Sequence, residues 1–488
     1  MKMRPARFAL FACATSLLFV ACAAEKTDHR PPNVVIIFAD DLGYADVGIY
    51  GAKGFETPNL DQMAADGIRF TQFYMPASGC SPSRAALLTG SYPLRAGIPD
   101  VLFPWAKIGL NSDEVTIAEL LKSRGYATRA IGKWHLGDHP NFLPTSHGFD
   151  SYFGLPYSND MSPEPKNNPR ERASEYPPLP LIQDTTIIEL EPDQRFLTRR
   201  YTERALEFIQ ENQQKPFFLY LAHSMPHAPL WASAPFVGSS EQGMYGDVLQ
   251  ELDWSTGQIL QILHDLQLEE NTLVIFTSDN GPWLIFGNHA GSAGPLREGK
   301  ASSFEGGHRV PAIFRWPGTI PAGTVSDEVA TAMDLLPTIA AIAGAQTPRD
   351  RVLDGFDISP ILAGKPEAKS QYESFFYYRA GHLQAVRSGK WKLHVPHNYL
   401  SSERGQIAND GMPGSYARED IGLELFDLEN DISERINIAA EHPEVVERLL
   451  KMIQNARIDI GDRATEVVGK NARPPGRVSH AWSAQPAK

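Results

Sequence analysis

Residues 33–39, Asn-Val-Val-Ile-Ile-Phe-Ala, form an unbroken apolar run that stops at two aspartates, Asp40 and Asp41. A strand wet on one face would alternate apolar and polar side chains, and this one does not. Such a run reads as a strand buried on both faces, the habit of parallel sheets. Similar runs recur at Phe217–Ala222, ending near His223, at Thr272–Thr277, leading to Asp279, and at Val310–Phe314. Helical patterns lie between or after them, at Thr116–Ser123, Arg199–Glu211, Asp247–Leu266 and Val329–Ala343. The alternation predicts an α/β sandwich: a large mixed, mostly parallel sheet between helices. Asp40, Asp41, His223, Asp279 and Asn280 all follow the carboxyl ends of predicted strands, where open α/β sheets place their sites.

From Gln371 the pattern changes to short strand-like pieces joined by Gly turns, followed by a helix over Glu444–Ala456. A smaller C-terminal antiparallel sheet packed on a helix is expected. The domain reading is therefore an α/β domain over 30–370, a C-terminal subdomain over 371–462 and a flexible tail over 463–488. The Pro/Glu/Asn-rich stretch Ser162–Pro180 reads as a surface loop or insertion.

Lys2, Arg4 and Arg7 precede the apolar stretch Phe8–Ala21 and then small residues. This is the layout of an export signal, too short for a comfortable bilayer span. Two cleavage readings stand side by side: a signal peptide over 1–23, or a lipobox Phe19-Val20-Ala21-Cys22 that removes 1–21 and anchors Cys22 through lipid. The expected location is the periplasm or, lipid-anchored, the outer membrane; otherwise the protein is secreted. Formal net charge is −13, with 58 acidic and 45 basic residues, which argues against nucleic acid as a partner. An anionic substrate would need a local cationic pocket.

Cys13 falls in the export signal, so Cys80 is left with at most Cys22 beside it and no internal disulfide to make. A buried cysteine at a Pro-initiated helix is common, and so is a used one. Asp40-Asp41 and Asp279-Asn280 supply three carboxylates and an amide oxygen, hard donors that suit Ca²⁺ better than Mg²⁺. Each pair alone is also an ordinary turn or cap. Lys133 and His135 alternate across Trp134 between two glycines, so an extended segment would aim both the same way. His223 and His227 sit on a proline-rich loop; His227 is the catalytic candidate and His223 its support, with no cysteine cluster to complete a zinc site. Lys300 lies in the Gly-rich segment Leu296–Gly307, and with Lys133 and Arg84 it supplies the cationic pocket.

Cys80-Ser81-Pro82-Ser83-Arg84, followed by Leu88-Thr89-Gly90, resembles the sulfatase signature. Blocks at 32–51, 57–69, 73–90, 132–137, 147–160, 277–281 and 296–318 are similar to those of the formylglycine-dependent type I sulfatases, in their arylsulfatase A-like and N-acetylgalactosamine-6-sulfatase-like branches. The resemblance implies an alkaline-phosphatase-like fold and conversion of Cys80 to Cα-formylglycine by a maturation enzyme. It implies Asp40, Asp41, Asp279 and Asn280, with residue 80, around Ca²⁺. Arg84, Lys133, His135, Ser158, His227 and Lys300 are implied around the sulfate, with Arg84 bonded to the modified residue 80. In the implied reaction the hydrated aldehyde attacks sulfur and forms a covalent sulfo-enzyme. His227, helped by Lys300, protonates the departing alcohol, and His135 takes a proton from the second hydroxyl.

The substrate expected on that basis is a sulfated saccharide, a fragment of a glycosaminoglycan or algal polysaccharide. Tyr378, Arg379, His382, His394 and His397 are candidates for its leaving-group side. The cysteines that make disulfides in animal members are absent, which implies a bacterial-type exported member. Two alternatives share the motif frame: a phosphomonoesterase or phosphodiesterase of the same superfamily, and a non-catalytic glycan-binding lipoprotein in which Cys80 stays a thiol.

Overall fold

The computed structural model describes Met1, residues 30–170 and residues 173–482. The export-signal reading, with Cys13 and Cys22, lies outside the described residues. From Pro31 onward the chain forms one compact unit.

All seven residues of Asn33–Ala39 are buried. The strand lies between Phe217–Ala222 and Thr272–Ser278, parallel to both. Ala127–Gly132 and Ser151–Gly154 extend the parallel set beyond Phe217–Ala222. Antiparallel pairings flank this centre: Arg309–Arg315 runs against Thr272–Ser278 and Ile68–Tyr74 on one side, and Pro180–Gln183 against Ser151–Gly154 and Thr186–Leu190 on the other. The sheet is mixed because Arg309–Arg315, expected as another core strand, runs against both its neighbours.

Alternate residues of the central strands feed two cores. Val34, Ile36 and Phe38 pack with Leu87, Leu121 and Ile339, from helices Cys80–Thr89, Ile117–Lys122 and Leu335–Ile342. Val35 and Ile37 pack on the opposite face with Met63, Ala205 and Leu252, from helices Pro58–Ala65, Leu197–Glu211 and Met244–Asp265. No helix among the described residues is long and apolar enough to cross a membrane.

The helix expected over Val329–Ala343 begins only at Leu335. Ala330–Thr331 instead pairs with Phe73 and Tyr74. Thr331 and Asp334 then form a reciprocal capping box that closes the N-terminus. The C-terminal part carries the anticipated four-stranded antiparallel sheet, Phe375–Arg379, His382–Ser388, Trp391–His394 and Glu424–Asp427. Helix Pro443–Asp459 packs on it through Leu449, Ile453 and Ala456. A second hairpin, His397–Gln406 with Ser415–Ile421, reaches back toward the sheet.

Residues 463–482 are not the loose tail their composition suggested. Gly476–Arg477 pairs with Ile108–Gly109, and Val467–Val468 with Gly461–Asp462. The fork of Arg473 grips buried Glu114 at 2.6 and 2.9 Å. Arg473→Ala leaves Glu114, which is 2% exposed, without its main counter-ion. Urea denaturation should show a loss of about 3 kcal/mol, the scale of a broken buried pair.

Candidate active site

Strand register puts the functional groups in a row. Ala39 is opposite Ser278, Phe38 opposite Ala222, and Ala222 opposite Gly132. Asp40, Asp279, His223 and Lys133 therefore leave adjacent strands at one level, on the carboxyl edge. The chain turns sharply there. Asp41 and His135 adopt left-handed backbone, with φ of 63° and 62°. Gly132 turns at φ 101°, where a Cβ would lie 1.8 Å from the Ala222 carbonyl oxygen, so Lys133 can follow only a glycine.

Cys80 is the first residue of a wholly buried helix, Cys80–Thr89. Its Sγ lies 3.6 Å from Asp40 Oδ1 and 3.6 Å from Lys300 Nζ. Burial, and the nearby Asp279 carboxylate, push the thiol well above its ordinary range. A thiol held protonated is a poor nucleophile.

Three buried carboxylates face three cations. Lys133 Nζ donates to Asp40 at 2.5 Å and to Ser158 Oγ at 3.2 Å. Lys300 Nζ donates to Asp41 at 2.8 Å. Arg84 donates from Nε and Nη2 to Asp279, at 3.1 and 2.8 Å, and from Nη1 to the Lys133 carbonyl at 2.7 Å. Burial works against the Asp279 charge, but Arg84 and Lys133 hold its carboxyl below the ordinary range. Burial and the neighbouring Asp279 raise Asp40 to about 7 despite Lys133. Burial works against the Lys133 charge, but Asp40 and Cys80 together hold its ammonium above the usual range. The cationic pocket that a net charge of −13 called for is present.

The two histidines are held in opposite tautomers. His227 Nδ1 donates to the Ala228 carbonyl at 2.6 Å, so Nε2 faces Ser158 Oγ at 3.3 Å and Asp41 Oδ2 at 3.5 Å. His135 Nε2 donates to the Leu102 carbonyl at 2.9 Å, and its buried Nδ1 has no partner. Burial comes first in holding both imidazoles well below their usual range. Lys133 adds to it at His135, and Lys300 then Lys133 add to it at His227.

Ligand atoms of Asp40, Asp41, Cys80 and His227 all lie within 4.8 Å of one another. Asp279 and Asn280 reach this group through Asp41, whose N–H donates to Asp279 at 3.1 Å and whose carboxylate accepts from Asn280 Nδ2 at 2.7 Å. That bond and one to Gly281 occupy the amide nitrogen, while Asn280 Oδ1 is buried without a partner. An orphaned amide oxygen beside three crowded carboxylates fits a hard divalent cation.

Other expectations need correction. With the thiol at residue 80, Arg84 spends its donors on Asp279 and the Lys133 carbonyl. His135 is not in extended backbone, so simple alternation does not bring it to Lys133. His223 meets Ser255 Oγ, on helix Met244–Asp265, at 3.3 Å. Tyr378 donates to the Gly461 carbonyl, His394 stacks on Phe304 beside Glu434, and His397 bonds the Val395 carbonyl; these three are packing groups. His382 pairs with Arg379 across a hairpin.

The residue patterns gave no warning of Trp283, whose ring lies 4.3 Å from Lys300 Nζ and 5.0 Å from the His227 ring. Its place three residues after Asn280 was the available signal. Nor did they show how the Lys300 segment is latched. Glu298 accepts from Ser401 and Ser402, and the Glu305 N–H donates to Glu434 at 2.7 Å, so the C-terminal subdomain holds this loop.

The chain matches a family model described as Sulfatase over residues 32–345 and one described as the C-terminal region of aryl-sulfatase over 370–476. It is 42% identical over 465 residues to arylsulfatase A of Bos taurus, covering 90% of each chain. It is 40% identical over 486 residues to N-acetylgalactosamine-6-sulfatase of Canis lupus familiaris, covering 92% of this chain and 91% of that one. The solved structure of Ps i-CgsB in complex with k-i-k-neocarrahexaose is similar with a TM-score of 0.74 at 31% identity, covering 87% of this chain and 92% of that one.

Arg84→Met should expose the weight of the Asp279 pair. At pH 7 the variant loses about 3–5 kcal/mol in urea denaturation, as a buried charge is left alone. Asp279 is depressed in the folded protein, so its contribution exists above the unfolded pKa and fades as pH falls through the folded one. The gap between the two proteins should therefore narrow as the pH drops below that of an ordinary aspartate.

Proposed function

Because this chain belongs to the sulfatase family, of alkaline-phosphatase-like fold, and is a sulfuric ester hydrolase, we propose that it cleaves sulfate esters of saccharides through residue 80, once the thiol has been converted to a formyl group. The observation that carries this reading is the seat of Cys80: a helix start in contact with both Asp40 and Lys300, inside a buried cluster of three cations. A hydrated formyl group supplies two hydroxyls on one carbon, one to take sulfur and one to release it.

The surrounding side chains suit the remaining work. Lys133, Lys300 and Arg84 offset negative charge that accumulates on sulfate oxygens, the usual large term in such catalysis. Lys133 also donates to Ser158, which orders the Oγ against His227 Nε2. His227 Nε2, with Lys300 beside it, is the group to pass a proton to the departing alcohol oxygen. His135 Nδ1, a bare acceptor because Nε2 is spent on Leu102, is the group to receive one at residue 80. Asp40, Asp41, Asp279 and Asn280 would hold a divalent cation, Ca²⁺ by their all-oxygen character, supplying Lewis-acid polarisation of a sulfate oxygen.

Two findings support a saccharide substrate: the 40% identity to an N-acetylgalactosamine-6-sulfatase and the likeness to a structure that holds a neocarrahexaose. The basic and apolar N-terminal segment supports action outside the cytoplasm, as a periplasmic, lipid-anchored or secreted enzyme.

Protein produced with a formylglycine-generating enzyme should show, by mass spectrometry, the Cys80 peptide with sulfur replaced by oxygen and two hydrogens lost. It should hydrolyse nitrophenyl sulfate and at least one of a panel of chondroitin 6-sulfate, heparan sulfate and carrageenan fragments. Cys80→Ala should lose both activities. Survival of the ester-cleaving rate in that variant ends the mechanism, and inactivity on every saccharide ends the substrate class.

Chelation gives a separate check. Dialysis against EGTA should lower the melting temperature and Ca²⁺ should restore it. Asn280→Leu, which deletes the orphaned oxygen, should need about tenfold or more Ca²⁺ for the same recovery, the scale of one lost ligand interaction.

A further inference from the structure

Outside the charged cluster, Phe103 and Trp105 are 40% and 50% exposed. Large aromatics left in water are uncommon unless something covers them. These two are also ordered: their rings stack 5.3 Å apart at 4°, and Trp105 lies 5.2 Å from the ring of Tyr176. The result is a row of three rings on the surface.

The Phe103 end of the row is fastened to the site. Immediately before Phe103, the Leu102 N–H donates to Ser81 Oγ at 3.1 Å and the Leu102 carbonyl accepts from His135. The aromatic strip therefore starts one residue from a group bonded to both a predicted base and the neighbour of residue 80. Tyr176 belongs to the same surface segment as Arg170, whose guanidinium lies 5.0 Å over Trp283, the ring that walls Lys300 and His227.

We propose that Phe103, Trp105 and Tyr176 form a saccharide subsite that takes the sugar rings beyond the sulfated one. This rests on the saccharide reading above and extends it to longer substrates. A pyranose ring offers an apolar C–H face and a rim of hydroxyls, so a flat aromatic surface binds it by contact and water exclusion. Rigid rings with few rotatable bonds lose little entropy on binding. The row covers neither Cys80 nor the cations, so it bears on which chain is held rather than on how sulfur is transferred.

The test uses the matured full-length enzyme, the panel fragment that it cleaves fastest and the sulfated monosaccharide unit of that fragment. Trp105→Ala should lower kcat/KM on the oligosaccharide by about tenfold, through KM, the scale of one lost stacking contact. Its rate on the monosaccharide should match wild type, and Trp105→Phe should restore the oligosaccharide rate. Equal losses on both substrates would mean a disturbance carried through Leu102 to His135, and would overturn the subsite. So would an unchanged oligosaccharide KM. A wild-type enzyme that cleaves nitrophenyl sulfate but no saccharide fails a different claim, the substrate class, and takes the subsite with it.

Discussion

The site depends on balancing like charges that share one small buried volume. Asp40, Asp41 and Asp279 leave neighbouring strand ends, and each would be costly alone at that depth. Lys133, Lys300 and Arg84 meet them one for one. The same three cations are what an anionic ester needs, so the groups that make the fold tolerable also make the pocket selective. Neutralisation is incomplete. Asp40 stays high even against a lysine at 2.5 Å, which is the electrostatic condition a divalent ion would relieve.

Much of this was legible in the residues because it follows from strand physics. A continuous apolar run such as Val34–Phe38 has one stable placement, and the polar residue after it must emerge at the strand tip. That logic located Asp40, Asp41 and Asp279 without knowledge of the sheet order. It failed where packing between distant segments decides. The Val329–Ala343 pattern is apolar enough for a helix throughout, yet a strand pairing and the Thr331–Asp334 cap claim its first turn. His394 and Tyr378 look like site residues in a list of chemistries, but His394 is stacked on Phe304 and bonded to Glu434, and the Tyr378 hydroxyl is spent on the Gly461 carbonyl. The closing segment looked loose because its composition is polar and Pro-rich, while the Arg473–Glu114 pair that fixes it spans 359 positions.

The C-terminal subdomain is more than an appendage. Its Ser401, Ser402 and Glu434 bind Glu298 and the Glu305 backbone on either side of Lys300. The Lys300 ammonium depends on residues about a hundred positions further along the chain for its position over Trp283 and against Asp41. A cation on an unsupported glycine-rich loop would sample many positions, and electrostatic stabilisation needs a fixed one.

The burial of Cys80 also sets an order of events. Its side chain is 2% exposed at the head of a helix with no solvent-facing residue. No second protein could seat the sulfur in its own catalytic cleft without first unravelling that helix from the sheet. Any enzymatic change to this atom must therefore precede closure of the core, while the segment around Pro82 is still an extended peptide. On the mechanism proposed above, molecules that fold before such a change would keep the thiol, intact in shape but without the nucleophile that mechanism requires.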